Sequence, residues 1–375
     1  MTQGALAWVA AVLLLLVASL AIWGGAALFW AVAALAALYA LGRRLFADER
    51  RPDEIHYTHA ADGWDLAIWR YRPRGAERRN CPVLLVHGLG ANQRNFDLDD
   101  RCSVALFLAR AGYDCYLPAL RGGGPSAYRR WGYPDKWNIT FDKYADLDLP
   151  AAFAKVRELA GAPHVHVIGH SMGAMLGYAI AEGELGAQMK SLTAVSGPCF
   201  FEHMQQFAPV LKFRRLLNPF VVLHTTVGAA VQSVFVRLWP RLAGRQEVNP
   251  DNVDGATVAR AAVNLIANIP RDLLFQFAKW IGDREFGSHR PESWQKGLPK
   301  ITTPIYCLGG PDDYFCRPAA NEKVIDFVGS AKKKYRLFSK ANGDRADYGH
   351  GDIVIGRTAP DDVFPTILEW VNEND

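Results

Sequence analysis

Ser171 stands between Gly169 and Gly173 in the run HVHVIGHSMGAMLG, from His164 to Gly177. Val165, Val167 and Ile168 ahead of it are of strand type, and the small and apolar residues behind it suit a helix. A serine at a tight strand-to-helix turn, flanked by glycines that let strand and helix pass closely, has its hydroxyl lifted into the open above a sheet. The next backbone N–H, that of Met172, points at the same space from a helix N-terminus, so a nucleophile and half of an anion site arise together. The other half is read at His87-Gly88-Leu89-Gly90, after an apolar run from Pro82, where glycines let the Leu89 N–H approach a substrate oxygen.

A neutral serine is a poor nucleophile: an imidazole must take its proton, and a carboxylate must hold that imidazole in the right tautomer. His350, in the loop KANGDRADYGHGDIVIG after the last strand, is the base. The acid follows the strand in TPIYCLGGPDDYF, where Asp312 and Asp313 are adjacent and only one is expected to face His350. Spacing after Gly309 favours Asp312, with Asp313 the alternative. The other histidines (His56, His59, His87, His164, His166, His170, His203, His224 and His289) have no comparable case as the base.

These side chains need strands to carry them. EIHYTH and DLAIWRYRP, separated by Asp62-Gly63, read as an antiparallel hairpin at a sheet edge. The unbroken run Val83 to Val86 suits a central strand buried on both faces. A helix from Val104 to Ala111, a strand from Tyr113 to Leu117, the loop LRGGGPSAYRRWGYPDKW, a helical stretch from Tyr144 to Leu159 and the strand SLTAVSG follow. Alternation of strand and helix predicts a mostly parallel sheet covered on both faces. From Pro198 to about Pro299 the alternation stops, and apolar helical stretches such as FVVLHTTVGAAVQSVFVRLW and RDLLFQFAKWIG read as a cap over the site. Strands at Pro304 to Leu308 and in KKYRLFSK, then a helix from about Asp361 to Asn372, complete the order. The expected division is an anchor at 1–45, a core at 52–198, a cap at 199–300 and the rest of the core at 301–375.

The first 42 residues contain no Asp, Glu, Lys or Arg. One span needs about 20 residues, and Gly24-Gly25 flanked by Trp23 and Trp30 predicts two short transmembrane helices joined by a turn, with a single tilted span or a re-entrant loop as the alternatives. Arg43, Arg44, Arg50 and Arg51 follow, which by the positive-inside rule places the catalytic part in the cytoplasm, held at an inner or plasma membrane. A cleaved signal peptide fits less well, because its n-region would be basic and its apolar run shorter.

Composition narrows the classes. The chain has 375 residues, half of them apolar, enough for one large α/β domain with insertions. A net charge of +4 with scattered basic residues gives no case for nucleic acid. Six cysteines fall at no metal-ligand spacing, and buried free thiols are favoured over a disulfide. No metal or organic cofactor is expected.

From about Pro82 onward the chain resembles the α/β-hydrolase superfamily, and within it the acid lipase family of gastric and lysosomal lipases. The stretches that carry the resemblance are HGLGANQRNF, the loop beginning LRGGGPSAYR, ITFDKYADLDLPA, RDLLFQFAKWIGDREFGSH, YCLGGPDD and YGHGDIVIG. The resemblance implies an α/β-hydrolase fold and hydrolysis of carboxylic esters such as glycerides or sterol esters. Ser171 is then nucleophile, His350 base and Asp312 acid, with Leu89 and Met172 as oxyanion donors. That family usually has glutamine where Met172 stands; the donor is backbone, so the departure bears on lipid specificity and not on catalysis. The expected function is a membrane-tethered esterase or lipase on apolar acyl esters, working through an acyl-enzyme. Two alternatives are acyl transfer or thioester or amide cleavage by the same triad, and a catalytically silent hydrolase fold serving as an interaction module.

Overall fold

Strand β3 (Val83–Val86) sends its side chains alternately into two apolar layers. Val83 and Leu85 join Phe96, Leu108 and Ile367, whereas Leu84 and Val86 join Phe153, Val167 and Met175. The computed structural model describes residues 12, 14–17, 25–126, 138–207, 222–236 and 247–375. Within them β3 lies inside an eight-stranded sheet of order β1-β2-β4-β3-β5-β6-β9-β10. The other strands of this sheet are β1 (Glu54–His59), β2 (Asp65–Tyr71), β4 (Cys115–Pro118), β5 (Val165–His170), β6 (Met189–Val195), β9 (Ile305–Gly309) and β10 (Lys333–Leu337).

The β1–β2 hairpin stands at the edge as expected, its turn eased by Gly63 at φ 81°. Strand β2 runs antiparallel to β4, and every pairing beyond it is parallel. Parallel strands need crossovers, and these place helices on both faces. Helices α2 (Val104–Arg110) and α9 (Ala359–Asn372) cover the Val83–Leu85 layer, and α3 (Leu149–Ala160), α4 (Met172–Ala181) and α8 (Pro318–Phe327) the other. The Ser103 hydroxyl caps α2 by accepting the Leu106 N–H at 3.0 Å. All six cysteines are buried and free.

Between β6 and β9 lie α5 (Thr225–Val236), α6 (Gly255–Asn264) and α7 (Arg271–Asp283). The mostly helical stretch also holds a short strand pair: β7 (Val222–Leu223) and β8 (Ile269–Pro270) pair antiparallel and tie the two ends of the α5–α6 segment together. Trp280 of α7 anchors this region in a ring cluster with Phe141, Phe277 and Phe286. Residues 208–221 and 237–246 of the expected cap, and 127–137 of the glycine-rich loop, lie outside the described residues.

Near the N-terminus, α1 (Gly25–Phe46) is one apolar helix of 22 residues. At 1.5 Å per residue it is about 33 Å long, which matches a bilayer core of about 30 Å. Its window Leu28–Phe46 has mean hydropathy 1.4, and Phe29, Trp30, Val32 and Leu45 are exposed. Gly25, expected in the turn of a hairpin, stands at the described start of this helix. Trp23 and Gly24 lie outside the described residues. The last turns of α1 pack on α5, and a β-carbon at Gly42 would overlap the Ala230 carbonyl oxygen. Asp48, just past the helix, pairs with the buried guanidinium of Arg94 at 2.7 Å. Arg50 pairs at 2.7 Å with the fully buried Asp97 and at 2.8 Å with Asp100. The helix foot is thereby fastened to the core.

Candidate active site

At the end of β5 the chain reverses into α4 through Ser171, whose φ of 55° and ψ of −120° lie where L-residues are strained. Two glycines make the reversal possible. A β-carbon at Gly173 would overlap the Val86 carbonyl oxygen, and one at Gly169 would overlap the Gly173 backbone. The Ser171 N–H donates to the Val195 carbonyl at 2.8 Å, fixing the turn to β6. The His87–Gly90 loop passes directly beside it, since a β-carbon at Gly88 would stand 3.1 Å from that of Ser171.

The Ser171 hydroxyl lies 2.9 Å from His350 Nε2. The other ring nitrogen, Nδ1, lies 3.0 Å from both oxygens of Asp313. A carboxylate facing Nδ1 makes that nitrogen the N–H donor, so Nε2 carries the lone pair that accepts from the serine. Phe315 packs its ring edge-on to the imidazole at 5.0 Å, which limits ring rotation.

Asp313, not Asp312, therefore meets His350. The two differ in what their own turn does with them. The Asp312 N–H donates to the Tyr348 carbonyl at 3.0 Å, and its side chain is exposed. Asp313 is fully buried, and its Oδ1 accepts the N–H groups of Phe315 at 2.9 Å and Cys316 at 2.7 Å. Those donors stabilise a carboxylate away from water and aim it at the imidazole.

Several positioning residues escape sequence reasoning. His170, passed over as a candidate base, is buried and donates from Nε2 to the His350 carbonyl at 2.8 Å. Burial pushes its pKa down to about 3, with the neighbouring His350 acting in the same direction. Its Nδ1 lies 3.0 Å from Asn95 Oδ1, and that oxygen accepts the Gly88 N–H at 3.0 Å. One asparagine thus touches both the His87–Gly90 loop and the neighbour of the nucleophile. His87 is likewise buried, which pushes its pKa down to about 4. Its Nε2 accepts the Leu120 N–H at 3.1 Å, which leaves Nδ1 to donate to the Gly88 carbonyl at 3.0 Å.

The His350 loop is held from the far side by Asp352. This carboxylate is fully buried and accepts the N–H groups of Asn249 at 2.8 Å and Gly349 at 3.0 Å, and the Asn252 amide at 2.9 Å. Burial outweighs these donors and raises its pKa to about 6. Asn249 and Asn252 belong to the insertion, so that segment and the histidine loop form one unit. The signal in the sequence was only proximity, His170 beside the serine and Asp352 two residues past the histidine.

Among the described residues, one group of potential metal ligands comes together: Cys81, His166 and Asp375, whose ligand atoms lie within 4.8 Å of one another. It sits at the amino ends of β3 and β5, away from Ser171; Asp375 accepts the Cys81 N–H at 3.0 Å and lies 3.5 Å from His166 Nε2, and His166 Nδ1 meets Ser191 at 2.8 Å.

Residues 82–341 match the family model described as the alpha/beta hydrolase fold. Lipase 1 of Drosophila melanogaster is 32% identical over 83% of this chain and 75% of its own length. Triacylglycerol lipase 2 of Arabidopsis thaliana is 24% identical over 84% of each chain. Among solved structures, a soluble variant of monoglyceride lipase from Saccharomyces cerevisiae superposes with TM-score 0.60 at 17% identity, covering 88% of this chain and 98% of that one.

Proposed function

The chain belongs to the alpha/beta hydrolase fold family, and we propose that it is a membrane-anchored serine ester hydrolase acting on apolar acyl esters. Ser171 is its nucleophile, His350 its base and Asp313 its acid. The observation that carries this reading is the unbroken line from Asp313 through His350 to Ser171, at 3.0 and 2.9 Å. Relatives named as lipases support the ester substrate.

In this mechanism Ser171 Oγ attacks the ester carbonyl carbon while its proton passes to His350 Nε2. The imidazolium that forms is stabilised by Asp313, which stays ionised. Negative charge on the carbonyl oxygen is met by the backbone N–H groups of Met172, at the start of α4, and Leu89, in the loop beside the serine. One such donor is worth about 3–4 kcal/mol of barrier. His350 then gives its proton to the leaving alcohol, and a water activated by the same nitrogen releases the acid from the acyl-serine. The segment 199–300 acts as the cap, and the apolar α1 holds the domain at the membrane, with Arg43 and Arg44 on the cytoplasmic side.

Release of p-nitrophenol from short to long acyl esters, by detergent-solubilised protein beside Ser171→Ala, tests the enzyme. Release that depends on Ser171 is expected, at least 10⁵-fold above the variant; equal rates in both proteins would sink the reading. Flotation of the full chain with vesicles after alkaline washing tests the anchor, and its loss on deleting residues 1–42 is the expected result.

A further inference from the structure

Cys81, His166 and Asp375 meet at the end of the sheet opposite to Ser171. Parallel pairing of β3 with β5 sets Val83 beside His166, and the His166 N–H donates to the Pro82 carbonyl at 2.9 Å, so Cys81 is brought next to the imidazole. Asp375 follows α9 and turns back onto the same place, where its carboxylate accepts the Asn80 N–H at 3.2 Å and the Cys81 N–H at 3.0 Å. One ligand atom from each residue lies within 4.8 Å of the other two. No spacing in the sequence announces this group, because the sheet and the last helix assemble it.

His166 is the informative member. It is fully buried, yet its two ring nitrogens are served unequally. Nδ1 lies 2.8 Å from the Ser191 hydroxyl of β6. Nε2 stands 3.5 Å from Asp375 Oδ1 and makes no hydrogen bond among the described residues. Buried ring nitrogens are nearly always paired, so this one asks for a partner of another kind. A separation of 3.5 Å is long for a hydrogen bond, but two ligands of a tetrahedral zinc ion, each about 2.0–2.2 Å from the metal, stand about 3.3–3.6 Å apart. Ser191 gives the outer support such a ligand needs: with Nδ1–H donating to the hydroxyl, the Nε2 lone pair faces Asp375. Burial lowers the pKa of the ring, which keeps it in the neutral form that ligates.

The charges fit as well. A thiolate and a carboxylate beside a neutral imidazole carry two negative charges between them, which a divalent ion cancels, so the closed group takes no net charge into the interior. Burial raises the pKa of the Cys81 thiol and Asp375 acts in the same direction; a cation held between the two removes that repulsion. Magnesium and calcium take oxygen ligands, whereas one sulfur, one nitrogen and one oxygen suit zinc. We infer that Cys81, His166 and Asp375 hold a structural zinc ion that staples the end of α9 to the amino ends of β3 and β5. The ion sits between the three atoms and is taken up as Asp375, the least buried of the three, folds onto the sheet; a water on the Asp375 side supplies the fourth ligand. His166 lies about 13 Å along β5 from His170, so the ion takes no part in the chemistry at Ser171, and the inference does not depend on the ester-hydrolase reading.

The full chain, purified without a polyhistidine tag in a neutral detergent, is stripped with a chelator and titrated with the chlorides of zinc, cobalt, manganese and calcium. Zinc is expected to bind at one ion per chain, about a hundredfold tighter than manganese or calcium. At a concentration about a hundredfold above its Kd it should raise the melting temperature by about 3–5 °C. Cobalt should give a thiolate charge-transfer band together with the intense visible bands of a tetrahedral ion. Cys81→Ser should remove the charge-transfer band, and Asp375→Asn, which keeps one oxygen for the neighbouring N–H groups, should weaken zinc by about tenfold to a hundredfold. Both are read at a temperature where their melts show them folded, beside Cys102→Ser, which should bind zinc like the parent. Failure to take up zinc, binding unaltered in both Cys81→Ser and Asp375→Asn, or a cobalt spectrum without the thiolate band overturns the site. Calcium or manganese binding as tightly as zinc overturns the choice of ion. Ester turnover is followed in the same samples: an unchanged rate with and without zinc is expected, and a rate that follows zinc content in a chain that stays folded overturns the structural role. A chain that binds zinc but cleaves no ester refutes the hydrolase reading and leaves the site standing.

Discussion

The serine elbow and the histidine loop present the two ends of one hydrogen-bonded line, yet they are held by different means. Ser171 sits in a turn made by its own neighbours: Gly169 and Gly173 remove β-carbons that would strike backbone, and α4 begins at the next residue. His350 sits in a loop that owes its place to distant groups. Its carbonyl is held by His170, its ring by Asp313, and the following residues by Asp352 through Asn249 and Asn252. The nucleophile is thus placed by sterics within a few residues and the base by hydrogen bonds across the fold. Damage to the first acts on the backbone; damage to the second acts through buried polar groups left without partners.

The sharpest way to break the contrast is at the acid. Asp313→Asn should lower kcat about 10⁴-fold, because an amide cannot hold the imidazole in the required tautomer, whereas Asp312→Asn should stay within about twofold of the parent. Steady-state kinetics on a soluble ester decides it, and the reverse order of effects would return the role to Asp312. Next in size is the elbow itself. In Gly173→Ala a methyl group meets the Val86 carbonyl, which belongs to a central strand and has nowhere to go, so a loss of about 3 kcal/mol in denaturant unfolding is expected. A variant of parental stability would show that the turn is not set by local sterics.

Asp352→Asn examines the other side. The new amide keeps an oxygen for Asn249 and Gly349 but sets a nitrogen against the Asn252 amide, whose own oxygen is engaged by Thr358. A destabilisation of about 1–3 kcal/mol and a fall in kcat larger than any change in KM are expected. Unaltered kcat at reduced stability would mean that the clamp serves folding alone.

The smallest effect is a slope. His170 is kept neutral by burial, with its pKa held at about 3 in the fold, against an ordinary value of about 6.5 when unfolded. The unfolded chain therefore takes up a proton that the folded one refuses as pH falls through this window. The stabilisation is complete above about pH 6.5 and is lost on acidification toward pH 3, by up to about 1.4 kcal/mol per pH unit. His87, held at about 4, adds a second contribution of the same sign down to that pH. His170→Gln should flatten the fall between pH 6 and 4 in urea melts followed at several pH values; an unchanged slope would show that His170 is not the group responsible.

What the amino-acid order determines by itself is whatever depends on near neighbours. Gly-x-Ser-x-Gly between an apolar run and a helical one could be read as the elbow because only glycine tolerates those contacts. The β1–β2 hairpin was legible from alternation around Asp62-Gly63, and the central strand from the uninterrupted Val83–Val86. Burial of the Cys81, Cys115 and Cys307 thiols followed from their place in or beside strands. Tertiary structure decided the rest. Asp312 and Asp313 are chemically identical and adjacent, and what separates them is that one N–H reaches Tyr348 while the other carboxylate turns inward to Phe315, Cys316 and His350. The fastening of α1 is a similar case, for its apolar run gives its length, whereas its far end is locked on α5 through Gly42 and on the core through Asp48 by partners that the run itself does not name. Backbone sterics act over a few residues and are written in the local order of the chain; the choice between equivalent polar groups is made by partners dozens to hundreds of residues away, which meet only once the sheet has formed.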